Sequence, residues 1–117
     1  MGLAGLLIVD DAQMARSTLP ETWGVDDLAL VLQDKRFTAA GQIDYTLSAS
    51  DRTNGYTGDV LLVNGALAPV WRAPSQWVRF RLLNGCNART LVLRLGNSLP
   101  LLQVANEAGL LAVPVAR

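Results

Sequence analysis

The chain has 117 residues, half of them hydrophobic and 17% charged, enough apolar content to build one core and to exclude disorder of the whole chain. Ten basic and ten acidic residues cancel. No long-range field therefore draws the chain toward nucleic acid or an anionic membrane, and the absent net charge removes one barrier to self-association.

The first apolar run, Leu3 to Val9, contains Ile8 and Val9 and stops at Asp10 and Asp11, which predicts a short strand. It lacks the basic leader of a secretory signal, and no apolar stretch approaches the roughly 20 residues of a membrane-spanning helix. From Asp11 to Gly24 the sequence turns polar and carries Pro20, as a linker does, with one helical turn expected around Ala12 to Arg16. A boundary there separates residues 1–24 from a main domain at residues 25–117.

Leu28 to Gln33 is a continuous apolar run framed by Asp26-Asp27 and Asp34-Lys35, the pattern of a strand buried on both faces. Ala39 to Gln42 reads as a turn, and the polar stretch Ser48 to Gly58 as a loop. Asp59 to Val63, then Asn64-Gly65, then Ala66 to Val70 predicts a hairpin, because Asn-Gly supplies the positive φ angles of a tight type I′ turn. Trp77 to Leu83 alternates, with Val78, Phe80 and Leu82 on one face and Trp77, Arg79, Arg81 and Leu83 on the other. Thr90 to Leu95 and Leu101 to Ala105 complete the expected strands, separated by turns at Asn84-Gly85 and Gly96-Asn97. Short strands at this spacing predict an all-β sandwich or barrel.

The chain has no histidine and a single cysteine, Cys86. Histidine is the commonest metal ligand and the usual base near neutral pH, so Ser-His-Asp and Cys-His constellations are excluded within the chain. Cys86 alone cannot build a zinc or copper site, and it forms no intramolecular disulfide. As a free thiol it packs as a small hydrophobe more often than it reacts, although Arg89 nearby in sequence would favour the thiolate. Asp10-Asp11 and Asp26-Asp27 are carboxylate pairs, but adjacent residues on a strand point to opposite faces, so each pair is expected to bound a strand and cap a turn. Gly2 and Gly5 form no phosphate loop, since no Lys-Ser/Thr follows them. Arg79, Arg81, Arg89 and Arg94 are expected on a solvated sheet face with their stems laid along it, and not in a nucleic-acid site.

The segment Leu82-Leu83-Asn84-Gly85-Cys86-Asn87-Ala88-Arg89 closely resembles a signature of multicopper oxidases, in particular bacterial cuprous oxidases of the laccase-like copper-efflux type. Trp23 to Asp27, Val31 to Phe37, Gly41 to Tyr45, Gly58 to Gly65 and Ala105 to Leu111 continue the likeness in the same order. The resemblance implies a cupredoxin-like Greek-key fold, with Met1 to Asp11 as the last strand of a preceding cupredoxin domain and residues 25–117 as most of a copper-free second domain. Enzymes of this family oxidise Cu(I) or phenols and reduce dioxygen at coppers held by their first and third domains, and they are periplasmic. The second domain sets the spacing of the other two. On this resemblance no position here inherits a copper-ligand, catalytic or cofactor-binding role, and Cys86 corresponds to a second-domain cysteine. Asn106-Glu107-Ala108-Gly109 departs from the family's Ser-Asp-Gly-Gly at that place.

The resemblance also implies a domain stopped before its final strands, with open strand edges that recruit partners. A homodimer or higher oligomer is the first expectation, through edge pairing or exchange of Leu3 to Val9. A part of an oxidase whose copper domains come from other chains is a second, and a binding module with an apolar cleft beside Trp71, Trp77 or Tyr56 is a third.

Overall fold

The structure is a computed structural model and describes residues 3–9, 18–96, 99–107 and 109–117. Its elements are β1 (Asp27–Phe37), β2 (Ile43–Asp44), α1 (Ala49–Asn54), β3 (Val60–Val63), β4 (Ala66–Leu67), β5 (Arg79–Asn84), β6 (Leu102–Asn106) and β7 (Gly109–Ala116). The Ala12 to Arg16 turn and Asp10-Asp11 lie outside the described residues.

β1 is the central strand. It runs antiparallel to β2 and β3 and parallel to β5, and β3 continues into β4, giving one five-stranded sheet. At Leu32 it is paired on both edges, with Val63 and with Asn84, as a continuous apolar run requires. The β3–β4 hairpin forms at Asn64-Gly65 with φ of 50° and 78°, the positive pair of a type I′ turn. Asn64 also acts beyond its turn. Its Oδ1 accepts from the Val31 amide at 2.8 Å, its Nδ2 donates to the Ala29 carbonyl at 2.9 Å, and its own amide donates to the Val31 carbonyl at 2.9 Å. The side chain thus extends the β3 ladder along β1 after the backbone has turned away.

The structure overturns several expectations from the sequence. Leu3 to Val9 pairs with no strand and is largely exposed. Ser48 to Gly58 contains α1 instead of forming a plain loop. Ser48 is a complete capping box with Asp51, each side chain bonding the other's backbone amide. Thr90 to Leu95 forms no strand, whereas the closing apolar run forms β7, whose partner is β6.

The arginines of β5 also lie on the opposite kind of face from the one expected. Asp27 lies beside Arg79 and Ala29 beside Arg81, so these share a face, while Phe80 and Leu82 share the other with Leu28 and Leu30. The Arg79 and Arg81 side chains are only 9% and 19% exposed, against 37% for Phe80 and 48% for Leu82. A carboxylate on the neighbouring strand reverses the burial that hydrophobicity alone dictates.

β6 and β7 form a separate two-stranded sheet with a register shift between Gln103 and Ala105. Among the described residues the buried apolar core consists of Leu32 and Tyr56. No helix is long and apolar enough to cross a membrane.

Candidate functional site

Three charged clasps tie β5, the turn that follows it and α1 to β1, and together they gather much of the polar chemistry of the chain. The first is at its start. Asp27 is buried and receives Arg79 and Arg81; Arg81 Nε lies 2.9 Å from its Oδ1 and Arg81 Nη2 2.8 Å from its Oδ2, and Arg79 Nη2 also bonds Oδ2. Burial pushes the Asp27 carboxyl up, but the bonds from Arg81 and Arg79 outweigh it and hold the group below the usual carboxylate range. Its neighbour Asp26 points elsewhere. There it accepts from the Thr22 amide at 2.8 Å and from Gln76 Nε2 at 2.8 Å. Of the two adjacent aspartates, Asp26 fills the turn-capping role expected of both, and Asp27 is a buried ion-pair partner.

The second clasp is the Leu82 to Arg89 signature. The Gly85 amide donates to the Leu32 carbonyl at 2.7 Å, the Cys86 amide to Asn84 Oδ1 at 3.1 Å, and Asn84 Nδ2 to the Arg89 carbonyl at 2.8 Å. This closed turn aims Arg89 back across the sheet. Arg89 Nε meets Asp34 Oδ2 at 2.9 Å and its Nη2 meets the Gly58 carbonyl at 2.6 Å, while the Gly58 amide donates to the same Asp34 oxygen at 2.7 Å. Gly58 lies so close to β1 that a Cβ there would overlap the Asp34 and Lys35 backbone. Burial pushes Asp34 up and the Arg89 and Gly58 bonds pull it further down, below the ordinary value.

Cys86 belongs to this clasp. Its sulfur lies 3.9 Å from the Leu32 carbonyl, and burial together with the Asp34 carboxylate pushes the thiol up. That is the reverse of a reactive thiolate site. Arg89 favours the thiolate, but its effect is smaller than that of the burial and the anion.

The third clasp closes over α1. Arg36 pairs with Asp51 through both terminal guanidinium nitrogens, donates from Nε to the Thr57 carbonyl at 2.9 Å, and lies 4.5 Å from the centre of the Tyr56 ring. Tyr56 stacks on Tyr45 with ring centres 4.5 Å apart, accepts from the Arg36 amide at 2.8 Å and donates to the Asp44 carbonyl at 3.0 Å. Arg36 and the capping bonds from Ser48 hold the Asp51 carboxyl far below its usual range.

Charge alone did not reveal these roles in the sequence. The usable signal was period: Asp34 and Arg36 continue the Leu28, Leu30, Leu32 series on β1, and Arg79 and Arg81 alternate with apolar residues on β5.

Within this arrangement the carboxylates are held ionised by arginine, and the thiol is held protonated. Among the described residues no three His, Cys, Asp or Glu side chains lie together as metal ligands do. Copper, the metal implied by the fold family, takes imidazole and thiolate ligands. A chain with no imidazole and one thiol pushed up by a neighbouring anion does not fit it. A cleft of about 280 Å³ is lined by Leu3, Ala4, Gln33, Lys35, Phe37 and Ile43, with Leu62 and Gly65. None of Trp71, Trp77 and Tyr56 borders it. Tyr56 is buried and Trp71 packs edge-on against Phe80.

A strand-rich, curled sheet of this order, knotted to its central strand by a signature turn, is the cupredoxin-like fold of multicopper oxidases. A laccase-like multicopper oxidase, CueO from the lignin-degrading bacterium Ochrobactrum sp., superposes with a TM-score of 0.85 at 40% identity, over 92% of this chain and 24% of its own. The McoA multicopper oxidase 2F4 variant of the hyperthermophile Aquifex aeolicus superposes at 0.80 and 34% identity, over 92% and 24%. Among curated proteins, the cell division protein FtsP of Yersinia pestis is 45% identical over 115 residues, 98% of this chain and 24% of that protein. The chain therefore spans about a quarter of the length of the relatives it matches. No protein-family model matches it.

Proposed function

We propose that this chain is a copper-free structural segment of a multicopper-oxidase-type protein, in which residues 25–117 form a spacer and residues 1–24 lead into it from a preceding cupredoxin unit. It performs no catalysis by itself, and no residue in it is assigned to copper or substrate. The observation that carries this reading is the combination of no histidine with the engagement of Asp27, Asp34 and Asp51 in arginine clasps. Oxygen reduction at copper needs imidazole donors, and the strongest polar groups here are already spent on holding strands together. The test is copper loading of the pure protein followed by dialysis, metal analysis and oxygen-uptake measurement with Cu(I) and a phenol. The expected result is no retained stoichiometric copper, no blue charge-transfer band and no oxygen uptake. Stoichiometric copper together with dioxygen consumption would overturn it.

The identity to a protein named for cell division supports a second reading, a role in cell division for the whole protein of which such a segment is a quarter. Replacing the matching segment of the Yersinia pestis protein with this chain tests it. Retention of that protein's role in division supports the reading, and loss of the role with the hybrid still folded counts against it.

A further inference from the structure

Leu3 to Val9 pairs with no strand, yet its first residues rest against the signature turn. A Cβ added at Gly85 would lie 2.8 Å from the Ala4 Cβ, 3.0 Å from Gln33 Cγ and 3.3 Å from the Leu32 carbonyl oxygen. Carbon atoms in good contact stand about 3.5–4.0 Å apart, so a side chain at Gly85 would claim the space in which Ala4 sits. The φ of Gly85 is not in the positive range, unlike that of Gly55 at 88°. Space, and not backbone conformation, therefore keeps this position small.

A second observation places the same segment on the same face of the sheet. Leu3 and Ala4 line one cleft together with Gln33, Lys35 and Phe37 of β1, Ile43 of β2 and Leu62 of β3. Gln33, Lys35 and Phe37 alternate along β1 and so share a face, and Leu62 lies beside Gln33 in register. The segment has a matching period of two. Leu6 and Ile8 are half-buried, whereas Leu7 and Val9 are 87% and 82% exposed, so the even-numbered side continues the one on which Ala4 meets Gly85.

The same turn also holds the connection between β2 and β3. Asn87 Nδ2 donates to the Tyr45 hydroxyl at 2.5 Å. A Cβ at Gly55, which caps α1, would overlap the Ala88 side chain, and Arg89 reaches Asp34 and Gly58. We infer that the Leu82 to Arg89 signature is a junction, in which Gly85 is the seat that fixes the segment entering this unit and Asn87, Ala88 and Arg89 tie that seat to the α1 connection. This deepens the spacer reading by naming the point at which the spacer holds what precedes it. It rests on that reading only for the preceding unit; the seat itself involves no copper.

The test uses the whole chain with Cys86→Ser, so that introduced cysteines are the only thiols. With Ala4→Cys and Gln33→Cys added, a disulfide within one chain is expected to form at least about tenfold faster in the folded protein than in urea, because docking raises the effective concentration of the two thiols. Equal rates in the two states, or no such disulfide, overturn the docking. In the chain without added cysteines, Gly85→Ala is expected to lower the urea midpoint, and Ala4→Gly in the same chain to restore about half of the loss or more, because it removes the atom nearest the new methyl group. A midpoint that Ala4→Gly leaves unrestored overturns the seat, since Gly85 then answers to β1 alone. The disulfide rate needs no substitution at Gly85, so it decides the docking even where Gly85→Ala does not fold. Stoichiometric copper with oxygen uptake would sink the spacer reading and leave these results standing, whereas a missing disulfide sinks only the junction.

Discussion

Asp27 and Asp34 are carboxylates inside a sheet that has little apolar core, and removing the charge from either strands its arginine partners. Breaking a buried ion pair from one side costs about 3–5 kcal/mol, because the remaining charge is left without compensation. Asp27→Asn is therefore expected to destabilise by about 3 kcal/mol, read as a lowered urea midpoint; a midpoint unchanged within error would show that the pair contributes nothing. The same groups set the response to acid. Both fold with carboxyl values below the ordinary range, so the unfolded chain binds more protons as pH falls. Their stabilisation is complete above the ordinary carboxylate value of about 4 and is lost as pH drops through the lowered folded-state values. The urea midpoint should be flat above about pH 5 and fall steadily below about pH 4, and a midpoint that rises on acidification would contradict the assignment. Cys86 gives the opposite sign, since its thiol is pushed up and stays protonated. Alkylation at pH 8 is expected to be at least about tenfold slower in the folded protein than in urea; equal rates would place the thiol in open solvent.

At the scale of elements, two residues hold strands together by means other than apolar packing. Gly58 abuts the backbone of β1, and a side chain there pushes the strand away from the Asp34 clasp. Gly58→Ala should cost more than about 3 kcal/mol, visible as loss of the folded baseline at neutral pH. Asn64→Ala removes two bonds to β1 at a partly wet edge, for about 1–2 kcal/mol; Asn64→Gly should cost the same if the bonds matter, and less if only the turn does. The hairpin around Asn64 was legible in the sequence, because positive φ restricts the residues that can occupy it. So were the hearts of β1, a continuous apolar run, of β5, whose pattern repeats every two residues, and of β6, within the apolar segment Leu101 to Ala105. The burial of Arg79 and Arg81 was not legible, since it depends on Asp27, some fifty residues away in sequence and beside them only through a parallel register. α1 escaped notice for a related reason. Its six residues are too few for a periodic apolar face, and its stability comes from the Ser48 cap and the Arg36–Asp51 pair. Period places the clasp residues on a strand face, but which residues pair across the sheet was beyond any local pattern, even where the signature turn that aims Arg89 was recognised.

The whole molecule combines strong local clasps with weak global burial. Leu32 and Tyr56 are its only buried apolar side chains among the described residues, whereas burying a large apolar side chain contributes about 1.5–3 kcal/mol. Two such residues are few against the ordering entropy of the rest of the chain. The clasps do not close that gap, because ion pairs fix which strands meet more than they add net stability. Apolar surface that is open in this chain by itself is therefore expected to add stability wherever it is covered. If a second copy is what covers it, the unfolding midpoint rises with total protein concentration. Urea melts at about 0.5 and 50 μM should separate clearly, the dilute sample unfolding at lower urea and with a shallow slope, below the ~1–3 kcal/mol/M of small compact domains. Coincident melts at both concentrations would mean that one chain holds its fold alone, and the open faces of the sheet and the hairpin would then need a different account.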